Sequence, residues 1–265
     1  MRTLILAAVV LLPTPTLLAQ GSAQEQYDKL VADHAELRKG YSAAQRDVMA
    51  GDAYKLAVAA GDRQRESALL MAVLEPPTEL IAVALQAAED FTGAEGAIPF
   101  LEWIVTNVRA DGFAVRTAAD ILVRDHIASE QLVEFARGIG HKTDILGQRK
   151  VAEIESALLA KNPDPMVKAQ VYNTRAQLLD GRGATEAQQK EALGFYKNVV
   201  ELLAESDSEE AKRLAGSAAG SVFVVERLQI GMVAPEIEAE DLDGVNFKLS
   251  DYRGKVVVID FWGDW

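Results

Sequence analysis

"GKVVVIDFWGDW", residues 254–265, is the stretch on which the reading of the fold turns. Val256, Val257, Val258 and Ile259 form an uninterrupted β-branched run, the signature of a strand buried on both faces, and Arg253-Gly254 bounds it on the N-terminal side. Such a strand needs neighbouring strands and covering helices, so the segments before it must be asked what they supply.

They supply mostly helix. From Gln24 to Arg227 the sequence shows little period-two alternation, and turn signals separate amphipathic segments. Pro76-Pro77-Thr78 closes one helix and opens the next; Gly93, Gly96 and Pro99 mark a second boundary, and Asp111-Gly112 and Gly138-Ile139-Gly140 two more. Thr143 is placed to cap a helix running through Val151, Ile154 and Leu158, which "KNPDP" must end, leaving Asp164 to cap its successor. Ala169, Tyr172, Ala176 and Leu179 recur at helical spacing, and so do Ala192, Phe195, Val199 and Leu202 beyond the turn "DGRGAT". Two such helices predict an antiparallel hairpin. "EALGFYKNVVELL" resembles the second helix of a tetratricopeptide repeat, and "GAIPFLEWIVTNV" echoes it, but their spacing is not a clean multiple of that repeat's length. The expectation for residues 24–227 is an irregular α-helical domain with repeat-like hairpins. Tyr27, Leu30, Leu37, Tyr41 and Ala44 give its first helix an apolar stripe, read as core packing.

Composition shifts near Arg227-Leu228. Ile237 opens a short extended segment, Asp243-Gly244 is a hairpin-type turn, and Phe247 and Leu249 alternate with Lys248 as a return strand requires. Ser250 or Asp251 then starts a tight turn before the valine run. Gly231, Ala234-Pro235, Asp243-Gly244, Phe247 and the run from Leu249 through Lys255 stand in that order, and Asp260-Phe261-Trp262-Gly263-Asp264-Trp265 closes it. Together they resemble the opening of a thioredoxin-fold domain of the TlpA/ResA-like thiol-disulfide oxidoreductases, within the redoxin superfamily. The resemblance covers roughly residues 228–265 and implies an incomplete α/β thioredoxin-like domain after the helical one.

In that family the tryptophan matching Trp265 is followed by Cys-x-x-Cys, and the sequence given stops immediately before it. The resemblance implies a first thiol at a helix N-terminus, where backbone N–H groups and the helix dipole favour thiolate, and a second that resolves the mixed disulfide. An acid on the preceding strand, where Asp260 sits, would be desolvated there and accept the resolving thiol's proton. Trp262 and Trp265 would wall the site, chiefly by packing. The chain contains no cysteine, so the sequence as given is expected to be redox-inactive.

The other end carries a targeting signal. Arg2 precedes an apolar run at residues 4–12, Pro13 and Pro15 break it, and small residues continue through Ala23, with cleavage expected after Ala19, Gly21 or Ala23. The run is short for a spanning helix, so residues 1–23 read as a cleaved secretory signal, and the mature protein as exported, periplasmic or extracytoplasmic, without a stable membrane span. Net charge is −13, with 40 acidic residues against 27 Lys and Arg, and no basic run occurs, which argues against nucleic-acid binding.

No metal site or cofactor is implied. His34, His126 and His141 lack metal-ligand spacing, and Asp125-His126, adjacent on a helix, do not face each other, so solvated or capping roles are expected. "ESDSEE" reads as a helix cap with a charged first turn, and "GIG" and "GRG" as turns. The function expected is the N-terminal portion of an exported thiol-disulfide oxidoreductase acting on protein disulfides or a redox partner protein. Two alternatives are a peroxiredoxin-type (AhpC/TSA) redoxin, and a non-enzymatic scaffold whose helical domain binds a protein partner.

Overall fold

The computed structural model describes residues 21–73, 78–109, 111–181, 183–241 and 243–260. Residues 1–20, Pro76-Pro77, Trp262 and Trp265 lie outside that set, and with them most of the signal segment and the two candidate wall residues. The described chain is mainly helical, with one small antiparallel sheet near its C-terminal end. It divides into two compact units, Met1–Arg175 and Ala176–Trp265.

The first unit begins with α1 (Ala23–Ala50), started by a capping box in which Ser22 Oγ accepts from Glu25 N–H and Glu25 reaches back to Ser22 N–H at 2.7 Å. Then come α2 (Asp52–Ala60), α3 (Arg63–Met71) and α4 (Thr78–Asp90). The core is built on α5 (Ile98–Asn107), where Ile98, Phe100, Leu101, Trp103, Ile104 and Val105 are all buried. A helix that apolar on every side must be covered on every side, and α4, α6 (Gly112–Asp125) and α7 (Val133–Ile139) do so. From α1, Tyr27 packs edge-on against Phe100 and His34 against Trp103, at centroid distances of 5.7 and 5.2 Å. Leu30, between them, is fully buried. The expected N-terminal stripe is thus core-facing at Tyr27 and Leu30 and half-buried at Leu37, Tyr41 and Ala44.

The expected boundaries fall where turn chemistry put them. Asp111 accepts from Ala114 N–H to start α6, and Asp164 accepts from Val167 N–H at 2.9 Å near the start of α10 (Pro165–Leu179). The Thr143 expectation needs correction. Thr143 is the first residue of a single turn, α8 (Thr143–Leu146), and α9 (Gln148–Lys161) starts separately after Gly147. Gly147 has φ +83° and ψ 147°, a conformation closed to residues with a Cβ, and the helix cannot run through it. The single apolar face expected for α10 is also corrected. Val167, Ala169, Gln170, Val171, Asn173, Thr174 and Ala176 are buried, so the helix is enclosed on several sides while Tyr172 and Leu179 are only half-buried.

In the second unit α11 (Glu186–Leu203) packs on α12 (Glu209–Arg227). Thr185 and Gln188 form its capping box, and Lys197 pairs with Glu226 across the two helices at 2.6 Å. Its buried face is Ala192, Tyr196, Val199 and Leu203, one step round the helix from the expected Phe195 and Leu202, which are half-buried. Strands β1 (Glu238–Glu240) and β2 (Asn246–Lys248) pair antiparallel with Glu238 opposite Lys248, and these two side chains form a 2.6 Å ion pair. The composition shift near Arg227 coincides with the end of α12, whereas the compact units divide within α10.

Candidate functional site

The tail motifs fold locally as their turn chemistry directs. Gly244 takes φ +78°, and Asp241 anchors loop 241–245 by accepting at Oδ1 from the N–H groups of Asp243 and Val245, both at 2.9 Å. Leu249 N–H donates to Ile237 C=O, and a 3-10 turn follows at Leu249–Tyr252. Asp251 caps that turn by accepting from Lys248 N–H at 2.9 Å, and Glu236 accepts from Ser250 N–H at 2.9 Å. The Ser250 hydroxyl, and after it the Ser250 N–H, hold the Glu236 carboxyl below its ordinary range by hydrogen bonding.

The valine run departs from expectation. Residues 256–259 join no ladder among the described residues, and all four side chains are exposed, so this is not a strand buried on both faces. The physical reason is pairing: a strand exists through hydrogen bonds to a neighbour, and the β1–β2 sheet does not extend to this segment. Period two survives nonetheless. Val256 and Val258 are 97% and 90% exposed, Val257 and Ile259 only 43% and 46%. Val257 and Ile259 line a groove of about 350 Å³ together with Val233, Leu249 and Tyr252. Asp260, the expected proton acceptor of the complete protein, is exposed just beyond this groove in sequence. Trp262 and Trp265 belong to the undescribed segment.

The histidines are not brought together. His141 is exposed. His126 takes the C-cap position of α6, one of the two roles expected, but its ring is buried rather than solvated, and Nε2 has no hydrogen-bond partner among the described residues. His34 lies against Trp103, and its pKa is lowered by burial and, secondarily, by the Arg38 charge. Among the described residues no cluster of His, Asp and Glu could hold a metal ion, and no helix is long and apolar enough to cross a membrane.

Sequence reasoning missed one perturbed group. Glu102 interrupts the apolar run of α5 and accepts from Phe135 N–H at 2.9 Å, near the start of α7. Burial pushes its pKa up to about 7, with the neighbouring Glu134 adding to the rise and the Phe135 bond opposing it. Burial also raises the Tyr27 pKa, and Glu102 adds to that rise. A lone acid within "IPFLEWIVTNV" was the available signal.

Over a short stretch the chain is similar to thiol-disulfide oxidoreductases of the ResA type. ResA of Bacillus thuringiensis subsp. konkukian (strain 97-27) is 42% identical over 40 residues, which is 15% of this chain and 23% of that protein. ResA of Geobacillus kaustophilus (strain HTA426) is 50% identical over 36 residues, 14% of this chain and 21% of that protein. The chain therefore spans less than a quarter of the length of these curated relatives. No family model matches the chain, and no solved structure does.

Proposed function

We propose that this chain is the N-terminal part of an exported thiol-disulfide oxidoreductase, with a helical region preceding the opening of a thioredoxin-like domain at residues 228–265. The observation that carries this reading is the ordered set of tail motifs, folded into a hairpin and capped 3-10 turn, together with the partial-length similarity to ResA proteins. In the complete protein the chemistry belongs to a Cys-x-x-Cys pair following Trp265. The first thiolate attacks a substrate disulfide, forming a mixed disulfide and releasing one substrate thiolate. The second thiol gives its proton to Asp260 and attacks in turn, so the substrate leaves reduced and the pair is oxidised. That role for Asp260 requires further chain to cover a carboxylate exposed here. The same cover would turn Val257 and Ile259 from groove lining into strand core. Trp262 and Trp265 pack at the rim of the site.

Export is read from residues 1–23. Cleavage after Ala19 or Gly21 leaves the Ser22 capping box intact, whereas cleavage after Ala23 removes it. The partner of the whole protein is a protein disulfide or a redox protein, and the helical region is a further candidate surface for a protein partner.

The test has three arms. Reading the parent gene beyond Trp265 should reveal Cys-x-x-Cys directly, and its absence would overturn the proposal. Peroxide consumption by the full-length protein without a disulfide substrate would favour the peroxiredoxin-type alternative. The chain of 265 residues, having no thiol, should leave insulin disulfides unreduced.

A further inference from the structure

We propose that a pocket between α1 and the C-terminal end of α5 binds a small organic anion through a carboxylate or phosphate group, with Arg38 and Arg109 as its charge partners. The pocket has a volume of about 330 Å³, and its lining includes His34, Arg38, Tyr41, Thr106, Asn107 and Arg109. That size suits a small ligand, and the lining residues include two exposed arginines and no Asp or Glu.

Two other basic residues of α1 are paired with acids one turn away. Lys29 pairs with Asp33 at 2.8 Å and Lys39 with Glu36 at 2.5 Å, as expected in a chain with 40 acidic residues against 27 basic ones. Arg38, beside Lys39 in sequence, makes no ion pair among the described residues, and its helical neighbours on the pocket side are His34 and Tyr41. Arg109 makes none either. The negative end of the α5 dipole does not account for both. Lys142 already serves that end, its Nζ donating to Thr106 C=O at 3.2 Å.

Two neighbouring groups register the excess positive charge. The Lys142 pKa is lowered by burial and then by Arg109, with Asp144 opposing, and that of His34 by burial and then by Arg38. Arg38 from α1 and Arg109 from the end of α5 thus both border the pocket. Guanidinium groups match carboxylate and phosphate oxygens in planar, two-pronged geometry. Tyr41 and Leu37 offer an aromatic ring and an apolar wall for the ligand's carbon frame.

The experiment titrates the 265-residue chain with sodium phosphate and, separately, sodium succinate against a sodium chloride control of matched ionic strength. Calorimetry and the His34 imidazole NMR signals are the readouts. Saturable binding is expected, with the His34 pKa rising as the anion offsets Arg38. Arg38→Gln and Arg109→Gln should each weaken binding by about tenfold or more, the scale of one lost charge-assisted bond. Arg124→Gln, whose guanidinium is instead paired with Asp125, should leave it unchanged. Circular dichroism confirms that each variant is folded. Binding of phosphate alone assigns a phosphate ligand, and binding of succinate alone a carboxylate. No saturable response to either salt in the wild-type chain, or a response that survives both substitutions, overturns the site. Neither outcome depends on the redox reading of the tail.

Discussion

Replacing Glu102 by glutamine isolates the cost of ionising a carboxyl inside the first unit. In the folded chain this group titrates at about 7 against an ordinary 4.5. Between those values the folded state holds a proton that the unfolded state has lost. Stability therefore falls as pH rises through that window and levels off above it. The gap of the two values corresponds to about 3 kcal/mol at most, a ceiling because water penetration softens the penalty. The substituted amide keeps an acceptor for the Phe135 N–H, so the capping bond survives while the titration disappears. The expected result is a variant close to wild type near about pH 5 and more stable by about 2–3 kcal/mol near about pH 8. The assay is urea unfolding followed by Trp103 fluorescence, one helical step from Glu102. It is run in a background where Trp262 and Trp265 are replaced by phenylalanine, leaving one of the three tryptophans. A stability difference that does not change between the two pH values would refute the reasoning.

Four further outcomes follow from particular positions. Asn162 is buried, donates from Nδ2 to Ile127 C=O and Ser129 C=O, each at 2.8 Å, and accepts from Asp164 N–H. Asn162→Ala should cost about 2–4 kcal/mol in denaturant unfolding by stranding those carbonyls. Gly147→Ala, at φ +83°, should cost about 1–3 kcal/mol, whereas Gly194→Ala, inside α11 with open space around its Cβ position, should stabilise by about 0.5–1 kcal/mol. Thermal melts separate the two signs. Ser22→Ala removes the capping box of α1 and should lower stability by about 1 kcal/mol, read by the same melts.

Local chemistry was legible wherever a residue acts on its own neighbours. Asp111 and Asp164 as caps, Gly244 as a turn, and a tight turn near Ser250-Asp251, which begins at Leu249 with Asp251 accepting back from Lys248 N–H, all act within a few residues of chain, and the sequence order shows them. Helical periodicity located α11 and placed Ala192 and Val199 on its buried face, but put Phe195 and Leu202 there in place of Tyr196 and Leu203, because the flank of a helical face is chosen by what lies opposite. The break at Gly147 was invisible to the apolar pattern, which runs on through it.

The candidate redox site was legible as motif order and spacing, which residue order carries without any fold around it. Its environment was not. Desolvation of Asp260 and burial of residues 256–259 depend on surfaces that other segments must provide, and the described residues leave them exposed. The remaining sites lie at the meeting of distant segments. Glu102 titrates high because α5 is enclosed by helices from both directions along the chain. The cationic pocket exists because α1 brings Arg38 to the end of α5, far away in sequence. Helix, hairpin, caps and the class of motif in the tail could be read from residue order, since they arise from interactions within a few residues. Which side chains lose water, and which charges are left without partners, emerged only from the packed chain, since both depend on what lies opposite.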